Sequence, residues 1–137
     1  ALGSCIGVAA FDPVAGFGGL LHYMLPDSHL DENKARENPF MFADSGIRVM
    51  LDTLKQAGCD IRRLVVKAAG GSNIMDPNET FNIGKKNYLA LKKVLWRYNL
   101  LLKGEDVGGS ISRNMVLNLA TAEVLVKHAG DSREIPL

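Results

Sequence analysis

The chain is poor in the features that mark most specialised protein classes. It has only two cysteines, five prolines and one tryptophan in 137 residues, and aromatic residues reach just 7%. So few cysteines exclude a disulfide-rich scaffold. Charge of one sign is also missing, since 16 basic residues face 15 acidic ones for a formal net charge of +1. No broad field therefore draws nucleic acid or an anionic membrane, and direct membrane insertion is not expected. No apolar run approaches the roughly 20 residues of a membrane-spanning helix. No charged start followed by an apolar stretch marks a secretory leader. Repeats and low-complexity tracts are absent too, which excludes a disordered tail, a coiled coil and a collagen-like chain.

What remains is a sequence of ordinary globular composition, 47% hydrophobic and 23% charged. Its length predicts one domain over residues 1–137, large enough to bury a core without covalent staples. The opening ALGSCIGVAAF reads as the inside of a strand, so we expect a fragment lacking its first N-terminal residues. Without a leader the expected compartment is reducing and cytoplasmic, and Cys5 and Cys59 are expected as free thiols.

Periodicity divides the chain into elements. Residues 2–10 are small, apolar and β-compatible, with Asp12-Pro13 as a turn. Residues 18–24 predict a second strand, and the polar, punctuated stretch 26–39 predicts a loop. Phe40, Ala43, Ile47, Met50, Leu51 and Leu54 recur at helical spacing up to Gly58. Residues 61–69 read as a buried strand stopped by Gly70-Gly71. Asn82 is placed to cap a second helix with Tyr88, Leu91, Leu95 and Tyr98 inward. Residues 100–107 predict another strand, and the alternation through 114–119 and 123–127 predicts a hairpin. Strands outnumber helices and include hairpins, so a mixed α/β (α+β) domain with helices packed on sheets is expected, not a doubly wound parallel sheet.

Nucleotide motifs fail on spacing. GFGGLLH has Leu21 where a dinucleotide fingerprint needs its third glycine, and Gly84-Lys85-Lys86 has neither the upstream glycine nor the following hydroxyl of a phosphate loop. His22, Asp27, His29 and Cys5 could be gathered round a metal, but their intervals match no standard ligand pattern. His128 reads as a solvated polar residue. Cys5 and His22 make a more informative pair. Both fall in predicted strands between small or apolar residues, and neighbouring strands would let a thiol meet an imidazole. Such a pair stabilises the nucleophilic thiolate. The alternative is plain packing, because free cysteine is among the most buried residue types and a strand histidine often belongs to the core.

Five ordered segments bear on that choice: LGSCIGVAAFDP, GGLLHYMLP, VVKAAGGSNIM, NIGKKN, and EDVGGSISR followed by a hairpin ending EVLVK. Together they resemble the CheD family of chemoreceptor glutamine deamidases, from Ala1 to about Lys127. The most specific element is the GSC strand followed by the histidine of GG-x-x-H, an interval of 17 residues from Cys5 to His22.

The resemblance implies a three-layer β/β/α arrangement similar to toxin deamidases with a Cys-His pair. It implies hydrolysis of glutamine side chains to glutamate on methyl-accepting chemotaxis receptors, and a CheC-type phosphatase as partner. It matches Cys5 to the nucleophile and His22 to the general base, with no metal or organic cofactor. The family's third site residue is a threonine six positions before the cysteine, upstream of Ala1. Small Gly3 and Ser4 beside the nucleophile are expected to let substrate approach and to offer backbone N–H groups to an oxyanion. The alternative is a weak or inactive module that regulates a CheC-type phosphatase. Arg113 is expected either to meet acidic receptor residues or to pair within the fold. Ala122 stands where a hairpin glycine is common in the family, and Ser112 where a glycine more often precedes the arginine.

Overall fold

The computed structural model describes every residue except 75, 77 and 79. Met75, which closes the VVKAAGGSNIM segment, thus lies outside the described residues. The described residues form seven strands and three α-helices. In chain order these are β1 (Ile6–Asp12), β2 (Phe17–Tyr23), α1 (Glu32–Glu37), α2 (Ala43–Gln56), β3 (Val65–Gly70), α3 (Ile83–Arg97), β4 (Leu102–Val107), β5 (Arg113–Asn118), β6 (Glu123–His128) and the two-residue β7 (Ile135–Pro136).

Two sheets result. One has strand order β2-β1-β3-β4 and the other β5-β6-β7. In the larger sheet β1 runs antiparallel to both β2 and β3, while β3 and β4 are parallel and joined through α3. The central strand β1 is buried along its whole length. Its residues alternate between two faces, as strand geometry requires. Ile6, Val8 and Ala10 join Leu21, Val66 and Ala68 in packing against Ile47, Leu51, Leu91 and Leu95 of α2 and α3. Ala9 and Phe11 look the other way and pack with Val124 of β6. Helices, large sheet and small sheet thus form three layers, and the mixed α/β class expected from the sequence is the one observed.

Each helix forms for a reason visible in its apolar stripe. In α2 the stripe is Ala43, Ile47, Met50, Leu51 and Leu54, and the helix stops ahead of Gly58 at φ +102°. Burying each of the larger of these side chains contributes roughly 1.5–3 kcal/mol. In α3 the stripe is Asn87, Leu91, Val94 and Leu95, with one polar member.

Five sequence expectations need correction. The first strand begins at Ile6, because residues 3–5 form a bend and only Leu2 bridges to Arg113. The stretch 26–39 is largely wound, with α1 started by the Asp31 carboxylate accepting from Lys34 N–H at 3.0 Å. Phe40 falls in a short turn ahead of α2, and residues 61–63 in another ahead of β3. Asn82 precedes α3 as predicted, but it caps by its left-handed backbone (φ 56°) and makes no side-chain capping bond. Ala122, the residue noted in place of a hairpin glycine, adopts φ 58° at the β5–β6 turn.

Candidate functional site

The bend at residues 3–5 is held from one side by the loop after β3. Gly71 N–H donates to Cys5 O and Ser72 N–H donates to Gly3 O, both at 2.9 Å. The approach is so close that a Cβ on Gly70, at φ +113°, would lie 2.2 Å from Cys5 O. Only glycine fits there. From the helix side, Asn87 Nδ2 donates to Ser4 O at 2.9 Å. Three successive carbonyls are thereby engaged, while the N–H groups of Gly3 and Ser4 donate to no backbone acceptor among the described residues.

Cys5 is therefore not within a strand but at the mouth of β1. It is half-buried and packs against the cluster of Leu2, Ala69 and Val126, as Met115 also does. Burial pushes its thiol above the ordinary value, partly offset by its own backbone N–H. The thiol by itself is protonated at neutral pH.

His22 lies on β2 directly opposite Gly7 of β1. It is exposed, which corrects the half-buried setting expected for it. A Cβ on Gly7 would meet Met115 Sδ and the Leu2 side chain, so this face of β1 looks toward the small sheet. Cys5, two residues before Gly7, shares that face and those neighbours. His22 lines a cavity of about 160 Å³ with Leu2, Gly7, Arg113 and Met115. Cys5, packed on Leu2 and Ala69, and His22, opposite Gly7, thus lie on the same side of the large sheet, the side facing the small one, although Cys5 is not among the residues lining the His22 cavity. No hydrogen bond joins them among those described. Such bonds are commonly long before substrate tightens the site.

Ser4 borders a second cavity of about 220 Å³, between the ends of β3 and β4 and the start of α3. Gly71, Gly108 and Gly109 line it, so the ends of the VVKAAGG and EDVGG segments meet at one place. Ser72 lines it too, wholly buried, its hydroxyl without a partner among the described residues.

The metal grouping does not assemble as the sequence allowed. Asp27 and His29 come together with Asp44, but neither Cys5 nor His22 joins them. The Asp27 carboxylate beside His29 holds that imidazole's pKa up, through a 2.8 Å contact. His128 is also not simply solvated: its Nε2 lies 2.5 Å from Asp106 Oδ2. Arg113, buried, meets Asp106 Oδ1 at 3.3 Å and donates to Gly70 O at 3.3 Å. Pairing within the fold is thus its role here. Burial opposes charge on Asp106, yet His128 and Arg113 outweigh it and keep the carboxyl below the usual range.

Sequence reasoning missed Asn87 and this Asp106–Arg113–His128 cluster. Asn87 had one legible signal, a carboxamide four residues before Leu91 on the inner stripe of α3. The cluster had none, since it gathers from three separate strands.

The fold and site define the class as a mixed α/β protein with a half-buried free thiol at the mouth of the central strand of its larger sheet. Comparison with known proteins narrows the class. Residues 24–128 match the family model described as CheD chemotactic sensory transduction. A protein of Solibacter usitatus (strain Ellin6076), named as a probable chemoreceptor glutamine deamidase CheD, is 49% identical over 135 residues, covering 98% of this chain and 80% of that protein. Another from Syntrophus aciditrophicus (strain SB), with the same name numbered 1, is 46% identical over 130 residues, covering 95% and 81%. The chemoreceptor glutamine deamidase CheD of Thermotoga maritima is 35% identical over 136 residues, covering 99% and 83%. The chain belongs to the CheD family. The family-model match begins two residues past His22, so the parts played by Cys5 and His22 must be argued from the geometry.

Proposed function

We propose that this chain converts glutamine side chains of methyl-accepting chemotaxis receptors to glutamate, with Cys5 as nucleophile and His22 as general base. The observation that carries the reading is that Cys5, at the mouth of β1, and His22, on β2, lie on the same side of the large sheet, in a chain whose relatives are named for this deamidation.

His22 accepts the Cys5 proton as sulfur attacks the glutamine Cδ. Burial holds the thiol protonated, so a base acting during attack fits better than a thiolate formed beforehand. The carbonyl oxygen becomes an oxyanion, and the uncommitted backbone N–H groups of Gly3 and Ser4 are available as donors to it. The C–N bond then breaks, ammonia departs with the proton returned by His22, and a thioester to Cys5 remains. Water, deprotonated by His22, attacks the thioester, and glutamate leaves as Cys5 regains its proton. The steps need no cofactor.

Exposed Leu20 of β2 and Met24, just past its end, flank His22 in sequence, each about half accessible. They offer an apolar landing strip for a receptor helix, or for a CheC-type phosphatase that competes for the same face.

Ammonia release and intact mass of a glutamine-bearing receptor cytoplasmic fragment test the reading, with this chain and with a form extended upstream. Cys5→Ala is expected to lower turnover by about 10³-fold or more, and His22→Ala by about 10²–10⁴-fold. Cys59→Ala should leave turnover unchanged, since Cys59 is buried behind Phe17 with its Sγ 3.8 Å from that residue's carbonyl. Full turnover by Cys5→Ala would end the proposal. Binding of receptor or phosphatase without turnover in either form would favour a regulatory module.

A further inference from the structure

Asn87 holds together the two strand ends that carry Cys5 and His22. Its side chain is wholly buried on the inner stripe of α3. One carboxamide nitrogen donates to Ser4 O and to Met24 O, both at 2.9 Å. Ser4 precedes Cys5, and Met24 lies two residues past His22 on the antiparallel neighbour. The β1–β2 ladder ends at the pair Ile6 and Tyr23. Beyond that pair the Asn87 amide supplies the hydrogen bonding that a further rung would have made. Asn87 also accepts, at its backbone oxygen, the Tyr23 hydroxyl at 2.7 Å. Three bonds at one residue therefore reach Ser4, next to Cys5, and Tyr23 and Met24, one and two residues past His22.

The chemistry of the carboxamide supports a specific role. Two carbonyls converge on one point, and only a group with two N–H donors can serve both. A carboxylate would face them acceptor to acceptor. The arrangement has a cost, because Asn87 Oδ1 is buried without a partner among the described residues. An orphaned acceptor of that kind is unfavourable, so packing alone would favour an apolar side chain of similar volume.

We propose that Asn87 is a positioning residue for deamidation: it fixes the separation of Cys5 and His22 by clamping the strand ends on which they ride. This rests on the catalytic pair proposed above. It touches neither substrate nor the reacting atoms, and it acts through the backbone of residues 4 and 24.

The test is a double-mutant cycle on the receptor-fragment assay. Asn87→Leu keeps the branched shape and removes the clamp. Its kcat is expected to fall by about 10²-fold, the typical cost of misplacing a reacting group by an ångström. KM should stay within about twofold, because substrate contacts are untouched. In a His22→Ala background the same substitution should cost little further, since the geometry it protects has already lost its use. Urea unfolding reports whether each variant is folded. If Asn87→Leu does not fold, Asn87→Ser carries the comparison, with one hydroxyl donor left for one carbonyl and a smaller kcat loss of about 10-fold expected. An equal loss in both backgrounds, or a raised KM at constant kcat, overturns the positioning role. Unimpaired turnover in Cys5→Ala would instead remove the pair on which it rests.

Discussion

Among single residues, Asp12 is the most heavily committed charge in the molecule. Its buried carboxylate receives the Arg63 guanidinium, with Nη2 at 2.8 Å and Nε at 3.1 Å, and the N–H groups of Val14, Ala15 and Asp60. The Arg63 guanidinium holds the Asp12 carboxyl far below the usual carboxylate range. A depressed folded-state pKa means the unfolded chain takes up the proton first as pH falls. The stabilisation is therefore complete above the unfolded value of about 3.9 and drains away below it. The urea midpoint of the parent should drop steeply as pH falls from about 4 to about 2. Asp12→Asn should start lower at pH 6 and lose much less over the same interval. Equal acid limbs in the two proteins would show that another group governs the loss.

Among elements, the hairpin β5–β6 carries the clearest local strain. Ala122 adopts φ 58°, a left-handed conformation that costs a residue with a Cβ about 1–2 kcal/mol. Ala122→Gly should raise stability by about 0.5–1 kcal/mol, after allowing for the extra freedom of glycine in the unfolded chain. Thermal unfolding of the two proteins decides it. The elements were also the most legible level in the sequence. The stripes of α2 and α3, the alternation of β5 and β6 and the apolar β1 all had a period to betray them. The stretch 26–39 did not, because its short turns are capped by the side chains of Asp27 and Asp31 and bury no residue of their own. For the proposed site, Cys5 and His22 were nominated by the ordered segments around them. The exposure of His22 was not legible, because it depends on β2 being an edge strand. The clamp by Asn87 depends on a contact 83 residues away along the chain, beyond any local pattern.

At the scale of the whole molecule, the two sheets are joined by charge as well as by apolar packing. Asp106 of β4 reaches Arg113 of β5 and His128 of β6. Asp106→Ala leaves the buried Arg113 guanidinium with carbonyl partners alone, and should destabilise the protein by about 1–3 kcal/mol. Amide hydrogen exchange should quicken in β5 and β6 more than in β1 and β3, because the small sheet loses its ionic tether while the large one keeps its helices. Uniform quickening would mean that the layers open together. A last consequence concerns time. β1 and β2 are consecutive hairpin strands, so a nascent chain can pair them as soon as they emerge. The carbonyls of Ser4 and Met24 must wait for α3, synthesised more than sixty residues later. The hairpin bearing Cys5 and His22 is thus assembled first and braced last. Recovery of activity during refolding should keep pace with the docking of α3, not with the earlier closure of the hairpin.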